Sequence, residues 1–199
     1  MTVPARRTQA GRRAATIGKL IEATIATIAE IGYHRASLGE ISKRSGVSKG
    51  GILRHFDSRI DLVVAAAEEV GRRHIAAFDT LLEHDTALPI IDLLRLTRAQ
   101  IRHDTNTVWF ELLVAARTEP ELRSRLAPVA EALIKQVEEV AAATLRGDLP
   151  ADRTRLLATS IIHMLDGEAI FRHTFPRPDL EEARLHYFAA LADPGSEAP

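Results

Sequence analysis

Apolar residues recur at helical spacing along most of this 199-residue chain, and no stretch alternates apolar and polar positions well enough for a strand. Ile17, Leu20, Ile21, Thr24, Ile28 and Ile31 fall on one stripe and predict a helix over 12–31. Leu38, Ile41, Val47, Ile52 and Phe56 then follow the spacing of two short helices that bury one shared face. Ser37, with Glu40 three residues on, forms a capping box at the start of the first. Ser45-Gly46 ends it, because glycine accepts the left-handed conformation that stops a helix, and Ser48 caps the second. Ser58-Arg59-Ile60-Asp61 makes another capping box and opens a long helix to about residue 83. Pro89, the His103–Asn106 cluster, Pro120, Gly147–Pro150 and Pro176–Pro178 punctuate the remainder. They leave helices near 88–103, 106–117, 120–145, 151–174 and 178–192, with a kink or short break expected at Pro128. The expectation is an all-α chain.

Charge changes the picture more than composition does. Residues 1–60 carry 11 Lys and Arg against 4 Asp and Glu, whereas the remainder carries 15 against 23. A basic head on an acidic body suits phosphate binding at one end, since each neutralised phosphate releases condensed counterions. With 46% apolar residues the chain can bury a substantial core in one or two domains. The absence of cysteine excludes disulfides, thiolate metal sites and a Cys nucleophile. No apolar run approaches the roughly 20 residues of a membrane span. Lys19, Glu22 and Glu30 interrupt the stretch that a signal peptide would need, so no membrane partner and a cytoplasmic location are expected.

Between residues 37 and 59 the apolar positions are used by the shared face. Lys43, Arg44, Ser48, Lys49, Gly50, Gly51, Arg54 and His55 are left outside, as suits a major-groove reader. An amphipathic helix ending in Ile31-Gly32-Tyr33 precedes this unit, and His55-Phe56-Asp57-Ser58-Arg59 closes it. Over residues 12–62 that order resembles the DNA-binding domain of TetR/AcrR-family one-component transcriptional regulators. Two positions depart from the family pattern: Leu53 stands where Tyr is usual, and Gly51 where Thr or Ala is common. Leu53 cannot supply the phosphate hydrogen bond of the usual Tyr hydroxyl. The resemblance implies about nine helices, three of them in a DNA-binding head with a helix-turn-helix. It also implies a C-terminal helical domain for ligand binding and dimerisation. The expected organisation is a flexible basic arm at 1–11, the head at 12–57, the ligand and dimerisation domain at 58–192, and a disordered tail at 193–199.

On that basis two copies would read an inverted-repeat operator in double-stranded DNA, with recognition helices at 48–55 in successive major grooves. Lys49 is the candidate for a base edge, most simply guanine O6 and N7. Gly50 and Gly51 would admit close approach of the helix backbone. Ser37, Ser48, His55 and Arg59 would hold phosphates, with Lys43, Arg44 and Arg54 as softer candidates and Arg6, Arg7, Arg12 and Arg13 reaching from the arm. The function implied is a repressor released by a small-molecule effector of unknown identity. The alternative is an architectural or ligand-independent dimeric DNA binder.

The body is less explicit. Trp109-Phe110-Glu111-Leu112-Leu113, the run from Arg117 to Arg123, and Leu165-Asp166-Gly167 resemble segments common in TetR-type ligand domains. Phe78, Trp109, Phe110, Arg117, His163, Met164 and Phe171 are the candidates to line a pocket, with Arg117 pairing an anionic ligand, Glu111 or Glu119. Gly167, Leu180, Ala183, Tyr187, Phe188 and Leu191 are the candidates for a dimer interface, Gly167 because mid-helix glycine costs about 1 kcal/mol against Ala. His163 and Asp166 share a helix face, but two ligands without a third are weak grounds for zinc, so neither metal nor cofactor is expected. Neither a phosphate loop, a nucleophile elbow nor a His-Glu-x-x-His motif occurs, so the reading is not an enzyme.

Overall fold

Thr8 opens the first helix, its hydroxyl oxygen accepting the Gly11 N–H at 3.2 Å, and a computed structural model describes the chain from that residue to Ala192. The described residues are 8–84, 88–144 and 149–192, and the side chains of 78–84 lie outside that set. The arm residues Arg6 and Arg7, Gly147, Asp148 and the 193–199 tail also lie outside it. Nine α-helices occur among the described residues: α1 Gln9–Ile31, α2 Leu38–Ser45, α3 Lys49–Ile52, α4 Arg59–His84, α5 Ile90–Ile101, α6 Thr107–Ala116, α7 Pro120–Thr144, α8 Ala151–Phe171 and α9 Pro178–Ala192. A single 3₁₀ turn, Asp104–Asn106, precedes α6. No helix among the described residues is long and apolar enough to cross a membrane.

The chain divides into two compact units. One comprises residues up to Val70 with Thr107–Ala127, and the other Gly71–Asn106 with the chain from Pro128 onward. In the first unit α1 packs on α2 and on α6. Burial on α1 therefore extends beyond the predicted stripe to Ala23, Ile25 and Thr27. The two buried threonines lose no hydrogen bonding: Thr24 donates to the Leu20 carbonyl at 2.8 Å and Thr27 to the Ala23 carbonyl at 2.6 Å. Leu20, Ala23, Ile41, Ile52 and Leu62 form one apolar cluster, with Leu38, Val47 and Phe56 packed against it. These include all five positions assigned to the shared face of the two short helices.

In the second unit α5, α8 and α9 pack on one another. Their contact buries Glu168 and Glu181, and each carboxylate has a cationic partner. Arg102 reaches Glu181 at 2.7 Å and Glu168 at 3.4 Å, while Arg184 reaches Glu168 at 2.9 Å. Removing Arg102 would take the ion-pair partner from Glu181 and leave Glu168 with Arg184.

The break expected at Pro128 does not occur, since α7 runs through it uninterrupted. Proline there removes a single bond, the one its N–H would make to the Ser124 carbonyl. Both residues are exposed, so the freed carbonyl is open to solvent. Pro178 occupies the first turn of α9, where a missing N–H is free of cost.

Candidate nucleic-acid interface

Local chemistry builds the turn between α2 and α3 as its residues dictate. Ser37 Oγ accepts the Glu40 N–H at 3.3 Å, and Ser48 Oγ accepts the Gly51 N–H at 3.1 Å. Gly46 sits at φ 65°, the left-handed conformation that ends α2, and its N–H donates to the Ser42 carbonyl at 2.9 Å. Both serine oxygens thus act as acceptors within the protein, leaving each hydroxyl proton available to an outside anion. The second helix is shorter than the predicted 48–55. After Ile52 the chain tightens, with the His55 and Phe56 N–H groups both donating to the Ile52 carbonyl.

Ser48, Lys49, Gly50, Leu53 and Arg54 are all exposed. Lys49 and Leu53 are four residues apart on one face. The two glycines of α3 differ in kind. A Cβ built on Gly50 meets nothing within 4 Å, whereas one on Gly51 would lie 2.9 Å from Val47 Cγ1. The protein's own packing accounts for Gly51; it gives no reason for Gly50. Lys43 pairs with Glu40 at 2.7 Å and Arg44 pairs with Glu30, exposed contacts worth at most about 1 kcal/mol that a phosphate can displace. His55 is half-buried, and its Nδ1 has no hydrogen-bond partner among the described residues.

Arg59 differs from the other basic candidates. Its Nε donates to the Ala36 carbonyl at 2.8 Å and its Nη2 to the Tyr33 carbonyl, while its guanidinium lies 4.2 Å from the centre of the Tyr33 ring. Tyr33 is held from two further directions. Its N–H donates to Glu111 at 2.9 Å, and its hydroxyl donates to Glu119 at 2.6 Å. Burial, and then the Glu119 carboxylate, push the phenol's pKa above its usual value. Glu111 and Glu119 are therefore engaged with Tyr33, and Arg117, the expected partner of one of them, is exposed. Sequence reading missed this clamp because its members lie 78 and 86 residues apart and share no local pattern.

The residues proposed for a pocket are divided between the two units. Trp109 is core in the first unit, which also holds Phe110 and Arg117. Met164 is half-buried in the second unit, while His163 and Phe171 are exposed there. The Phe78 side chain lies outside the described residues. What the second unit does contain is a cavity of about 70 Å³, lined by Ile75, Leu93, Leu94, Val140, Ile161 and their neighbours on α4, α5, α7 and α8. None of the described pocket candidates lines it. Aliphatic faces of this kind look like ordinary core in a sequence.

Two titrating groups of this unit are strongly shifted. Burial lowers the His74 pKa to about 4, with His103 adding to the effect, and burial raises the Asp166 carboxyl to about 6.

On α8, α9 and the connection between them several large apolar residues face outward. Leu156 is 67% exposed, Phe171 61% and Tyr187 63%, with Ile170, Phe175 and Leu180 also exposed. Gly167 lies in the α8 stripe with open space where its Cβ would be. Ala183 is exposed, and Phe188 and Leu191 are half-buried.

Known proteins resemble this chain in sequence and in fold. The family model of bacterial regulatory proteins, tetR family, matches residues 20–66. Over 194 residues the chain is 36% identical to an uncharacterised HTH-type transcriptional regulator of Mycobacterium tuberculosis, a match covering 95% of this chain and 98% of that one. A transcriptional regulator from Rhodococcus sp. Rha1 superposes with a TM-score of 0.73 at 22% identity, over 90% of this chain and 96% of that one. A regulator from Saccharomonospora viridis, solved in complex with choline, superposes with a TM-score of 0.63 at 22% identity, over 88% of this chain and 95% of that one.

Proposed function

The chain belongs to the TetR family of bacterial transcriptional regulators, and on that premise we propose that it is a homodimeric repressor released from its operator by a small molecule. The observation that carries the reading is the α2–turn–α3 unit, which presents Lys49, a bare Gly50 and Leu53 on one open surface. Two copies joined along the outward apolar face of α8 and α9 place two such units on successive major grooves about 34–36 Å apart. The operator is then an approximate inverted repeat. Gly167, Leu180, Ala183, Tyr187, Phe188 and Leu191 belong to the joining face, together with Leu156, Ile170 and Phe175. The functional division puts the DNA-binding head at 12–57 and the ligand and dimerisation domain at 58–192. The protein meets its operator in the cytoplasm.

Within the head, Lys49 reads a guanine edge. Leu53, at 50% exposure, is the apolar member of that face, and the thymine C5-methyl is the apolar group the major groove offers. Ser37 and Ser48 donate their free hydroxyl protons to phosphates, and His55, Lys43, Arg44 and Arg54 approach the backbone. Gly50 alone of the two glycines serves close approach. Arg59 holds the Tyr33–Ala36 turn in place of a phosphate. In the body the small molecule occupies the aliphatic cavity instead of a site built from the aromatic candidates. The choline-bound regulator from Saccharomonospora viridis supports a ligand site in a chain of this fold.

Selection of binding sites from random duplex DNA at two salt concentrations tests the reading. An enriched inverted repeat with affinity falling steeply in salt is expected, about 0.9 log units per log unit of salt for each phosphate neutralised. Absence of duplex binding at low salt would overturn it.

A further inference from the structure

The second unit's cavity also specifies the chemistry of its occupant. Its described lining consists of Ile75, Leu93, Leu94, Val137, Val140, Ala141, Ala158, Ile161 and Ile162, with Thr97 and Thr144 as the polar members. Both threonine hydroxyls are already committed: Thr97 donates to the Leu93 carbonyl and Thr144 to the Val140 carbonyl, each at 2.8 Å. The cavity therefore offers a ligand no free donor from these side chains and, at most, two hydroxyl oxygens that can still accept. No charged residue occurs among the described lining. A carboxylate or ammonium group would lose its hydration there and gain no counter-charge, a cost that the pocket does not offset.

Size limits the occupant further. At about 70 Å³ the cavity is roughly half of an apolar cavity that admits benzene, so it takes a short alkyl or compact cyclic group unless the walls part.

We infer that the effector is a small neutral apolar molecule, an aliphatic or alicyclic compound with at most one hydroxyl, held in this cavity by its hydrocarbon part. The inference rests on the reading of the chain as a ligand-released regulator and names the ligand class of that same site. A hydroxyl on such a compound would donate to Thr97 or Thr144, whose oxygens keep an open lone pair. A charged head group carried into this lining would lose hydration without gaining a counter-charge.

The test uses the full-length protein with ¹³C-labelled isoleucine methyl groups, because Ile75, Ile161 and Ile162 report from three points of the wall. The probes are the straight-chain alkan-1-ols from propanol to hexanol, each beside the alkylammonium and alkanoate of equal length. Saturable shifts of those three methyl resonances are expected, with affinity rising about fourfold per methylene until the cavity is full. The charged analogues should bind at least tenfold more weakly. Ala141→Leu and Ala158→Leu, which fill the space from α7 and α8 separately, should each abolish the alcohol response, whereas Thr97→Val should leave the binding of propanol's longer homologues within a fewfold.

A charged probe that binds as tightly as its alcohol would overturn the inference. So would alcohol binding that survives both alanine replacements. Operator affinity of the wild type is measured in the same samples, and a weakening of about fivefold or more at saturating hexanol is expected. Alcohol binding with no change in operator affinity would show that the cavity does not hold the effector. Loss of the alcohol response with intact duplex binding leaves the regulator standing and removes only this ligand class. Failure of the wild type to bind any duplex removes the regulator reading itself, and with it the effector.

Discussion

Replacing Gly50 with alanine separates what the protein needs from what its DNA needs. Beyond its chain neighbours and its own helix backbone, a Cβ at this position meets no atom of the described residues within 4 Å, so the fold has room for it. Gly50 lies inside α3, where alanine is the better helix former by about 1 kcal/mol, and a helix of four residues realises about half of that or more. The variant should therefore be more stable by about 0.5–1 kcal/mol, a rise of about 1–4 °C in melting temperature for a chain of this size. Operator affinity should move the other way. If the helix backbone lies against the groove at Gly50, the added methyl holds the docked surface away, and a loss of about 1–3 kcal/mol weakens binding by about fivefold to a hundredfold. Gly18→Ala is the matched control, because its Cβ also meets nothing within 4 Å and it lies on α1. It should raise the melting temperature similarly and leave operator affinity unchanged. Gly51→Ala supplies the opposite contrast, since contact at 2.9 Å with Val47 offsets its helical gain. The assays are calorimetric melting and fluorescence anisotropy on the selected operator at fixed salt. A Gly50→Ala protein that melts higher and binds as tightly as wild type would refute the close approach. One that melts lower would refute the local packing on which the contrast rests.

Leu53→Ala should flatten the preference for thymine at one position of each half-site, by about 1 kcal/mol or fivefold, in a repeat of the binding-site selection; uniform weakening at every position would count against the methyl contact. Asp166→Asn should stabilise the protein at neutral pH and not in acid. The raised carboxyl, about 6 against an ordinary 3.8, means that the native state keeps its proton more tightly than the unfolded chain does. Its contribution is thus fully present below pH 4 and lost as pH rises through 6, leaving a deficit of about 3 kcal/mol at pH 7.5 for Asn to relieve. His74 runs the other way, stabilising above pH 6.5 and losing that contribution as pH falls toward 4. Urea melts of Asp166→Asn at pH 4 and 7.5 decide the matter: equal gains at both would exclude burial of the charge as the cause. Gly167→Leu should leave the fold intact, given the open space at its Cβ, and shift the dimer toward monomer by tenfold or more in sedimentation velocity; an unchanged dimer would place the interface elsewhere.

What the sequence disclosed was whatever rests on neighbours along the chain. The caps at Ser37 and Ser48 and the turn at Gly46 involve partners three or four residues away, and they stand where their spacing put them. The starts of α5, α7, α8 and α9 follow their prolines, and that of α4 its Ser58 cap, for the same reason. The length of α3 was less legible, because the tightening after Ile52 depends on burying Phe56 as well as on any residue's propensity. Arg59 was not legible at all. Its position beside the head suits a phosphate, and only the fold brings the Tyr33 and Ala36 carbonyls to its guanidinium. The cavity escaped for a different reason: valine and isoleucine at helical spacing fill a core or leave a gap in it with the same pattern.

The Tyr33 clamp bears on where the DNA-binding head ends as a physical object. The residues proposed to face the operator all fall before residue 58, yet the turn that sets α1 against α2 is fastened by Glu111 from α6 and by Glu119, just ahead of α7. Trp109, Leu112 and Leu122 are buried in the same compact unit. A chain cut after residue 57 would lose both carboxylates and that apolar surface, and it would leave α1 exposed along the side that now meets α6. The head is thus not self-sufficient in its packing. α7 supplies Leu126 to this unit and Val137, Val140 and Ala141 to the cavity of the other, so one continuous helix carries residues of both. A ligand that favours one setting of α7 shifts operator affinity by its differential affinity for the two settings and no more. The operator must shift ligand affinity by the same factor, because the linkage is reciprocal.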